Sequence, residues 1–174
     1  PCAVSWGGGS AGGTDHITAG LIANAIGVDP TQVNYIAFSG GGEALAAILG
    51  GQVTVGISGY GEFESQIEAG QLRLIGISSE ERVEGIDAPT FKESGVDVAI
   101  QNWRMVAAGP DLTEEQTAAI TADIEKMVNS QTWQNILEER GWANTYLAGD
   151  AFKQELQKDV ESTEAVLKEI GLVQ

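Results

Sequence analysis

The sequence predicts an α/β fold, a mainly parallel sheet with flanking helices, followed by a run of C-terminal helices. Three observations carry this. Short β-favouring segments alternate with apolar-periodic helical runs through the first half of the chain. Each β segment runs out into glycine and serine: Gly7 to Thr14, Ser39 to Gly42, Ser58-Gly59 and Ser78-Ser79. From Thr113 onward the pattern is helical throughout, with recognisable starts and stops. Strands separated by helices imply right-handed crossovers and parallel pairing, with the ligand crevice beyond the carboxyl ends of the strands.

Taken in order, the segment entering Trp6 is a first strand, and it feeds a loop with five glycines in seven residues, Gly7 to Gly13. Thr14-Asp15 read as N-capping residues for a helix that carries the apolar run Ile17 to Ile26. Gly27-Val28-Asp29-Pro30 stops it, and Val33 to Phe38 is a second strand. Ser39-Gly40-Gly41-Gly42 opens a short alanine-rich helix, Glu43 to Leu49, closed by Gly50-Gly51. Val53 to Ser58 is a third strand, Glu62 to Ala69 a third helix closed by Gly70, and Leu72 to Ser78 a fourth strand. Ser79 to Pro89 is a charged, solvated loop. Thr90 to Ser94 reads as a short helix stopped by Gly95, and Val96 to Ile100 and Trp103 to Ala108 as extended.

Thr113-Glu114-Glu115-Gln116 is a capping box, with Ala119, Ile120, Ile124, Met127 and Val128 as the apolar face behind it. Ser130 caps a helix from Gln131 to Arg140 that turns Trp133, Ile136 and Leu137 inward and stops at Gly141. Trp142 to Tyr146 is a short extended return. Asp150 caps a last helix, Ala151 to Ile170, with Phe152, Leu156, Val160, Leu167 and Ile170 on one stripe. These helices carry no convergent carboxylates, histidines or metal-ligand spacing and read as structural.

Composition narrows the function. With 25 acidic against 9 basic residues the formal charge is −16, so nucleic acid and anionic membrane surfaces are poor partners. An anionic ligand would gain nothing from long-range steering, and its site would have to work through local N–H groups and dipoles. The single cysteine, Cys2, rules out an internal disulfide and reads as a small half-buried residue at the start of a strand. No apolar run approaches the ~18 residues of a membrane span. The start at Pro1, without methionine and already entering a strand, reads as a processed or truncated product.

The glycine loop is where chemistry concentrates. Backbone N–H groups converging at a helix N-terminus favour an anion, phosphate or carboxylate. Gly7-Gly8-Gly9-Ser10-Ala11-Gly12 also fits G-x-G-x-x-G, which keeps open a nucleotide-binding domain of the oxidoreductase type. That fingerprint, however, wants an acidic residue at the end of the second strand, and Ser39-Gly40-Gly41-Gly42 stands there. Gly8-Gly9-Ser10-Ala11-Gly12 fits the G-x-S-x-G nucleophile elbow, yet the only histidine, His16, lies in the helix that the elbow itself would open. No lysine follows the glycines, so a Walker-type loop fails as well.

Val4 to His16, Tyr35 to Ala44 with Gly51-Gln52-Val53, Gly70-Gln71-Leu72-Arg73, and Pro89 to Val96 together closely resemble the substrate-binding proteins of tripartite tricarboxylate transporters, the Bug or TctC-like family. The resemblance runs along the whole chain and is densest from Val4 to Val96. It implies a two-lobed Venus-flytrap receptor, similar to type II periplasmic binding proteins, that is not an enzyme and needs no cofactor or metal. Such a receptor is periplasmic or otherwise extracytoplasmic, captures a small di- or tricarboxylate and hands it to the membrane components of the transporter. The family's second-lobe loop corresponds to Gly9, Ser10, Ala11, Gly12, Gly13 and Thr14, with the neighbouring strand end at Phe38, Ser39, Gly40 and Gly41. Members are nearly twice this length, and their first lobe precedes the stretch that opens this chain. On that reading residues 1–103 are the α/β ligand-binding lobe, missing its beginning. Residues 104–174 are a crossover strand and C-terminal helices that pack on the first lobe. Without that lobe the helices would fold back on this domain or drive self-association.

Overall fold

The strand that holds the sheet together ends in two glycines. In the computed structural model, which describes residues 4–173, β1 (Ser5–Gly8) is paired on both sides, with β2 (Asn34–Ala37) and with β3 (Val55–Gly56), and both pairings are parallel. The order is β2-β1-β3, with Trp6 opposite both Tyr35 and Val55. Two glycines in β1 let its neighbours close over it. A β-carbon on Gly7 would meet Val53 and Phe38 at 3.0 and 3.2 Å, and one on Gly8 would meet the Tyr35 hydroxyl at 2.5 Å. Cys2 lies outside the described residues.

Between the strands run α1 (Thr14–Ala25) and α2 (Gly41–Leu49), and after β3 comes α3 (Tyr60–Glu68). Because the chain steps from β1 to β2 and then back past β1 to β3, right-handed crossovers put α1 and α2 on opposite faces. On the α2 side Ala44, Ala47, Val53 and Phe63 are buried. On the α1 side Ile17 packs with Val166 and Ile170, and Leu21, Ile100 and Leu167 close over them.

Those partners of Ile17 come from the far end of the chain. The chain divides into two compact units, Pro1–Asn102 with Val160–Gln174, and Trp103–Asp159. The second unit holds α4 (Glu114–Val128), α5 (Gln131–Arg140) and the first part of α6 (Gly149–Glu169). The remainder of α6 belongs to the first unit. There Asn24 donates to Glu169 at 2.8 Å, and Gly20 is the α1 position that Ile170 packs against. Residues 160–174, grouped in the sequence reading with the C-terminal helices, are thus part of the α/β unit.

In the second unit the Thr113 capping box forms in full. Thr113 Oγ1 accepts from Gln116 N–H at 3.2 Å, and Gln116 Oε1 accepts from Thr113 N–H at 2.9 Å. Ser130 caps α5, and Gly141 ends it in the left-handed region. Trp103 donates its indole N–H to Asp159 and meets Phe152 edge-on. Much of the α4 stripe stays open to solvent, with Ile120 and Met127 exposed, and Val106, Leu112, Ile120 and Ile124 line a shallow apolar groove.

Several expected elements change. Leu72 to Ser78 forms no sheet strand. Only Ile77 bridges, in parallel to Thr90, while Ser78 accepts from Ile100 N–H at 2.9 Å, so the segment is held by two other loops instead of by β3. Thr90 to Ser94 is a turn and not a helix. Gly95 takes φ +83° and Val96 N–H returns to Phe91, which closes the chain after one turn. The charged loop before it is cross-tied, Arg82 to Glu93 at 2.9 Å and Lys92 to Glu80 at 2.5 Å. Val96 to Ile100, Trp103 to Ala108 and Trp142 to Tyr146 lie outside any ladder. The helices α2 and α3 begin two residues earlier than the capping pattern suggested, on glycine caps at Gly40 and Gly59. Asp150 lies in the first turn of α6 and does not precede it.

Candidate functional site

The carboxyl ends of β1, β2 and β3 fall at Gly8, Ala37 and Gly56, and the loops that leave them share one edge of the sheet. Strand order reverses at β1, which is where an open α/β sheet forms its crevice. Phe38 N–H donates to Gly8 C=O at 2.9 Å, so the second predicted loop starts directly beside the first. All ten predicted site residues, Gly9 to Thr14 and Phe38 to Gly41, therefore lie in two adjacent loops and the first residues of the helices they open, Thr14 in α1 and Gly41 in α2. Ser10, Ala11 and Ser39 are exposed and Gly41 is buried.

The first loop is shaped by side chains that the sequence reading assigned elsewhere. Asp15 does not cap α1. The cap position is Gly13, without a side-chain bond, and Asp15 reaches back from the first turn to accept the Gly9 N–H at 2.7 Å. Tyr35, from β2, donates its hydroxyl to the Gly9 carbonyl at 2.8 Å. His16 accepts the Gly12 N–H on Nδ1 at 3.2 Å, and its ring is stacked on Tyr35 with centroids 4.2 Å apart and planes 7° apart. Gly12 sits at φ +78°, a conformation that favours glycine, and Gly13 N–H closes the turn onto Ser10 C=O at 2.9 Å.

These bonds decide which amides are left. Gly9, Gly12 and Gly13 N–H are used internally, whereas among the described residues no protein group accepts from the N–H of Ser10, Ala11, Thr14, Asp15 or His16. At the second loop Ser39 N–H is taken by the Glu43 carboxylate at 3.0 Å, and Gly40 to Glu43 N–H are left at the start of α2. Ser58 donates to Glu62, whose carboxylate lies against Gly41. Free amides at two helix N-termini are suited to an anion.

Electrostatics around the loop follow from burial. Desolvation raises the Asp15 carboxyl above its ordinary range, the Gly9 N–H bond opposes this, and Glu62 adds to it. Desolvation pulls the His16 imidazole below its ordinary value, and burial together with the Asp15 charge keeps the Tyr35 phenol protonated. With Nδ1 turned to Gly12, His16 is not presented as the general base that a nucleophilic Ser10 requires. Among the described residues no cluster of His, Cys, Asp and Glu is arranged to hold a metal ion, and no helix is long and apolar enough to cross a membrane.

A small parallel sheet with helices on its faces and glycine loops at one edge defines an open α/β lobe with its crevice at the carboxyl ends of the strands. Comparison with known proteins agrees: the model of the tripartite tricarboxylate transporter family receptor, TctC, matches residues 1–172, and the chain belongs to that family. A TctC solute-binding protein from Polaromonas, solved without ligand, is 26% identical with a TM-score of 0.75, over 95% of this chain and 57% of that one. R. palustris Rpa4515, solved with adipate, shares the fold at a TM-score of 0.80 and 19% identity, over 97% of this chain and 56% of that one. The chain thus spans little more than half the length of these two structures. A comparison with curated proteins gave no match.

Proposed function

We propose that this chain is the second-lobe portion of an extracytoplasmic Venus-flytrap receptor that captures a small di- or tricarboxylate for a tripartite tricarboxylate transporter. The observation that carries the reading is the set of free amides on Ser10, Ala11 and the first turn of α1, exposed between internally bonded neighbours. The loop from Phe38 to Gly41 supplies the second half of the cradle, and the amides of Gly40 and Gly41 extend it. Membership of a receptor family supports a binding protein without catalytic residues or cofactor. The adipate bound to the R. palustris neighbour supports a carboxylate ligand. On this reading the protein is periplasmic, and its partners are the ligand and the membrane components of the transporter. The open α4 stripe and the rest of residues 104–159 give the packing surface for a first lobe, and the isolated chain self-associates through it.

The test is calorimetry on the complete protein with succinate, adipate, citrate and a dinucleotide. Carboxylate binding is expected, without binding of the dinucleotide. Ser10→Asp sets a charge where the anion sits. Two like charges 4 Å apart at the protein surface repel by about 4 kcal/mol, and solvent screening at an exposed position cuts this to roughly 1 to 2, a loss of about five- to thirtyfold. Equal carboxylate affinity in wild type and Ser10→Asp refutes the site. Binding of the dinucleotide alone refutes the function.

A further inference from the structure

The arc of the loop that carries the free amides is short, Ser10 and Ala11, and both of its ends are tied down by side chains. At one end Gly9 is gripped twice, its N–H by Asp15 at 2.7 Å and its C=O by Tyr35 at 2.8 Å. At the other, Gly12 gives its N–H to His16 Nδ1. A ring nitrogen accepts only when it carries no proton, so this bond requires neutral His16 with its hydrogen on Nε2. The parallel stack on Tyr35 fixes the plane of the imidazole, and with it the direction of the Nδ1 lone pair. Tyr35 therefore holds both ends, one through its hydroxyl and one through the ring it supports.

We infer that His16 is a positioning residue: its neutral imidazole, seated on Tyr35, holds Gly12 so that Ser10 and Ala11 present their amides, and protonation at Nδ1 releases that arc. The inference rests on the reading of this loop as the anion cradle. It assigns His16 a role opposite to the one a histidine beside an anion ordinarily suggests. A cationic ligand residue would bind the anion better as pH falls, whereas a brace that must stay neutral weakens it.

The charged and titratable surroundings leave the sign intact. Tyr35 faces His16 from β2 and stays protonated. Asp15, on α1 itself, is turned to Gly9, and Glu62 on α3 acts on Asp15. From the end of α6, Leu167 and Leu172 lie against Gly12, and Glu169 is taken by Asn24. Burial is the cause that acts on His16, and it favours the neutral ring.

The experiment uses the complete protein, labelled for NMR, with the His16 signals identified by their loss in His16→Asn. At neutral pH the Nε2–H tautomer is expected, and the Gly12 amide is expected to shift with the same midpoint as the imidazole. Across that midpoint adipate and citrate affinity falls about fivefold in wild type, the worth of one net hydrogen bond. His16→Asn places an oxygen near the Nδ1 position without a titrating proton and loses this component. Ligand and Asp15 protonation are common to both proteins and cancel. His16→Phe keeps the stack but not the acceptor, and binds weakly at every pH. An Nδ1–H tautomer, a Gly12 amide indifferent to the imidazole, or affinity that rises as pH falls overturns the inference. If no carboxylate binds at any pH while Gly12 still follows His16, the brace stands and the proposed function falls.

Discussion

Gly8→Ala is the smallest change that reaches the whole brace at once. A β-carbon at Gly8 would lie 2.5 Å from the Tyr35 hydroxyl, 2.8 Å from Asp15 Cβ and 3.0 Å from the Ile57 carbonyl. Ordinary contacts of this kind begin near 3.4 Å, so three neighbours must retreat, and one of them is backbone. Overpacking of a close-packed site costs about 1 to 3 kcal/mol, and displacing the Tyr35 hydroxyl from Gly9 adds about 1 kcal/mol. Against this, alanine restricts the unfolded chain and returns about 0.4 to 1 kcal/mol. Steric cost wins, leaving a net loss of roughly 1 to 3 kcal/mol. The assay is urea unfolding followed by tryptophan fluorescence, since Trp6 lies two residues away in the same strand. Tyr35→Phe in the same background removes the closest clash, so the double variant is expected to be more stable than the sum of the singles predicts. A Gly8→Ala protein as stable as wild type, or strict additivity with Tyr35→Phe, would refute the packing argument.

Asp15→Asn keeps an oxygen to accept the Gly9 N–H but removes the charge. The folded-state pKa of Asp15 is raised, so its contribution is fully present below the unfolded value of 3.8 and is lost as pH rises through the folded one. The substitution is therefore expected to help stability more at pH 7 than at pH 3, as read from the urea midpoint at both. A larger benefit at the acid end would contradict the sign. For His16 the lowered folded pKa works in the opposite window: stability declines as pH drops below 6.5 toward the folded value. Val166→Ala removes two methyl groups from the cluster with Ile17 and Ile170 and is expected to cost about 1 to 3 kcal/mol. Amide exchange should quicken in α1 as well as in α6. Loss confined to α6 would show that the end of the helix does not support the sheet unit.

Much of the architecture is local enough to read in advance. The capping box at Thr113, the Ser130 cap and the Gly141 stop are each set by a few neighbouring residues, and each forms as expected. The parallel order of β1, β2 and β3 also follows from a local rule, because helices too long for a hairpin force crossovers. Where the reading failed, the deciding partner was remote. Leu72 to Ser78 has the composition of a strand, but its fate depends on Thr90 and Ile100. The apolar stripe in the sequence runs through Val160, yet Val166 is buried and Val160 is exposed, because the face of α6 that matters is the one Ile17 and Gly20 meet.

The loop shows the same division inside a single motif. Its glycines announce a tight, amide-rich turn from sequence alone, and Thr14-Asp15 after them resembles an N-cap by residue type. Cap preference, however, records only that a short oxygen-bearing side chain is near free amides; it does not say which amide receives it. Here Gly13 holds the cap position, and Asp15 has the reach to turn back to Gly9. No glycine-loop pattern pairs Tyr35 with His16, since their contact is made only when β2 pairs with β1 in a register that sets Tyr35 opposite Trp6. The residues that shape the cradle are thus fixed by the sheet at Tyr35 and by the first turn of α1 at Asp15 and His16, while the residues that expose amides are fixed by the loop. A pattern match to the glycines finds the second group and misses the first.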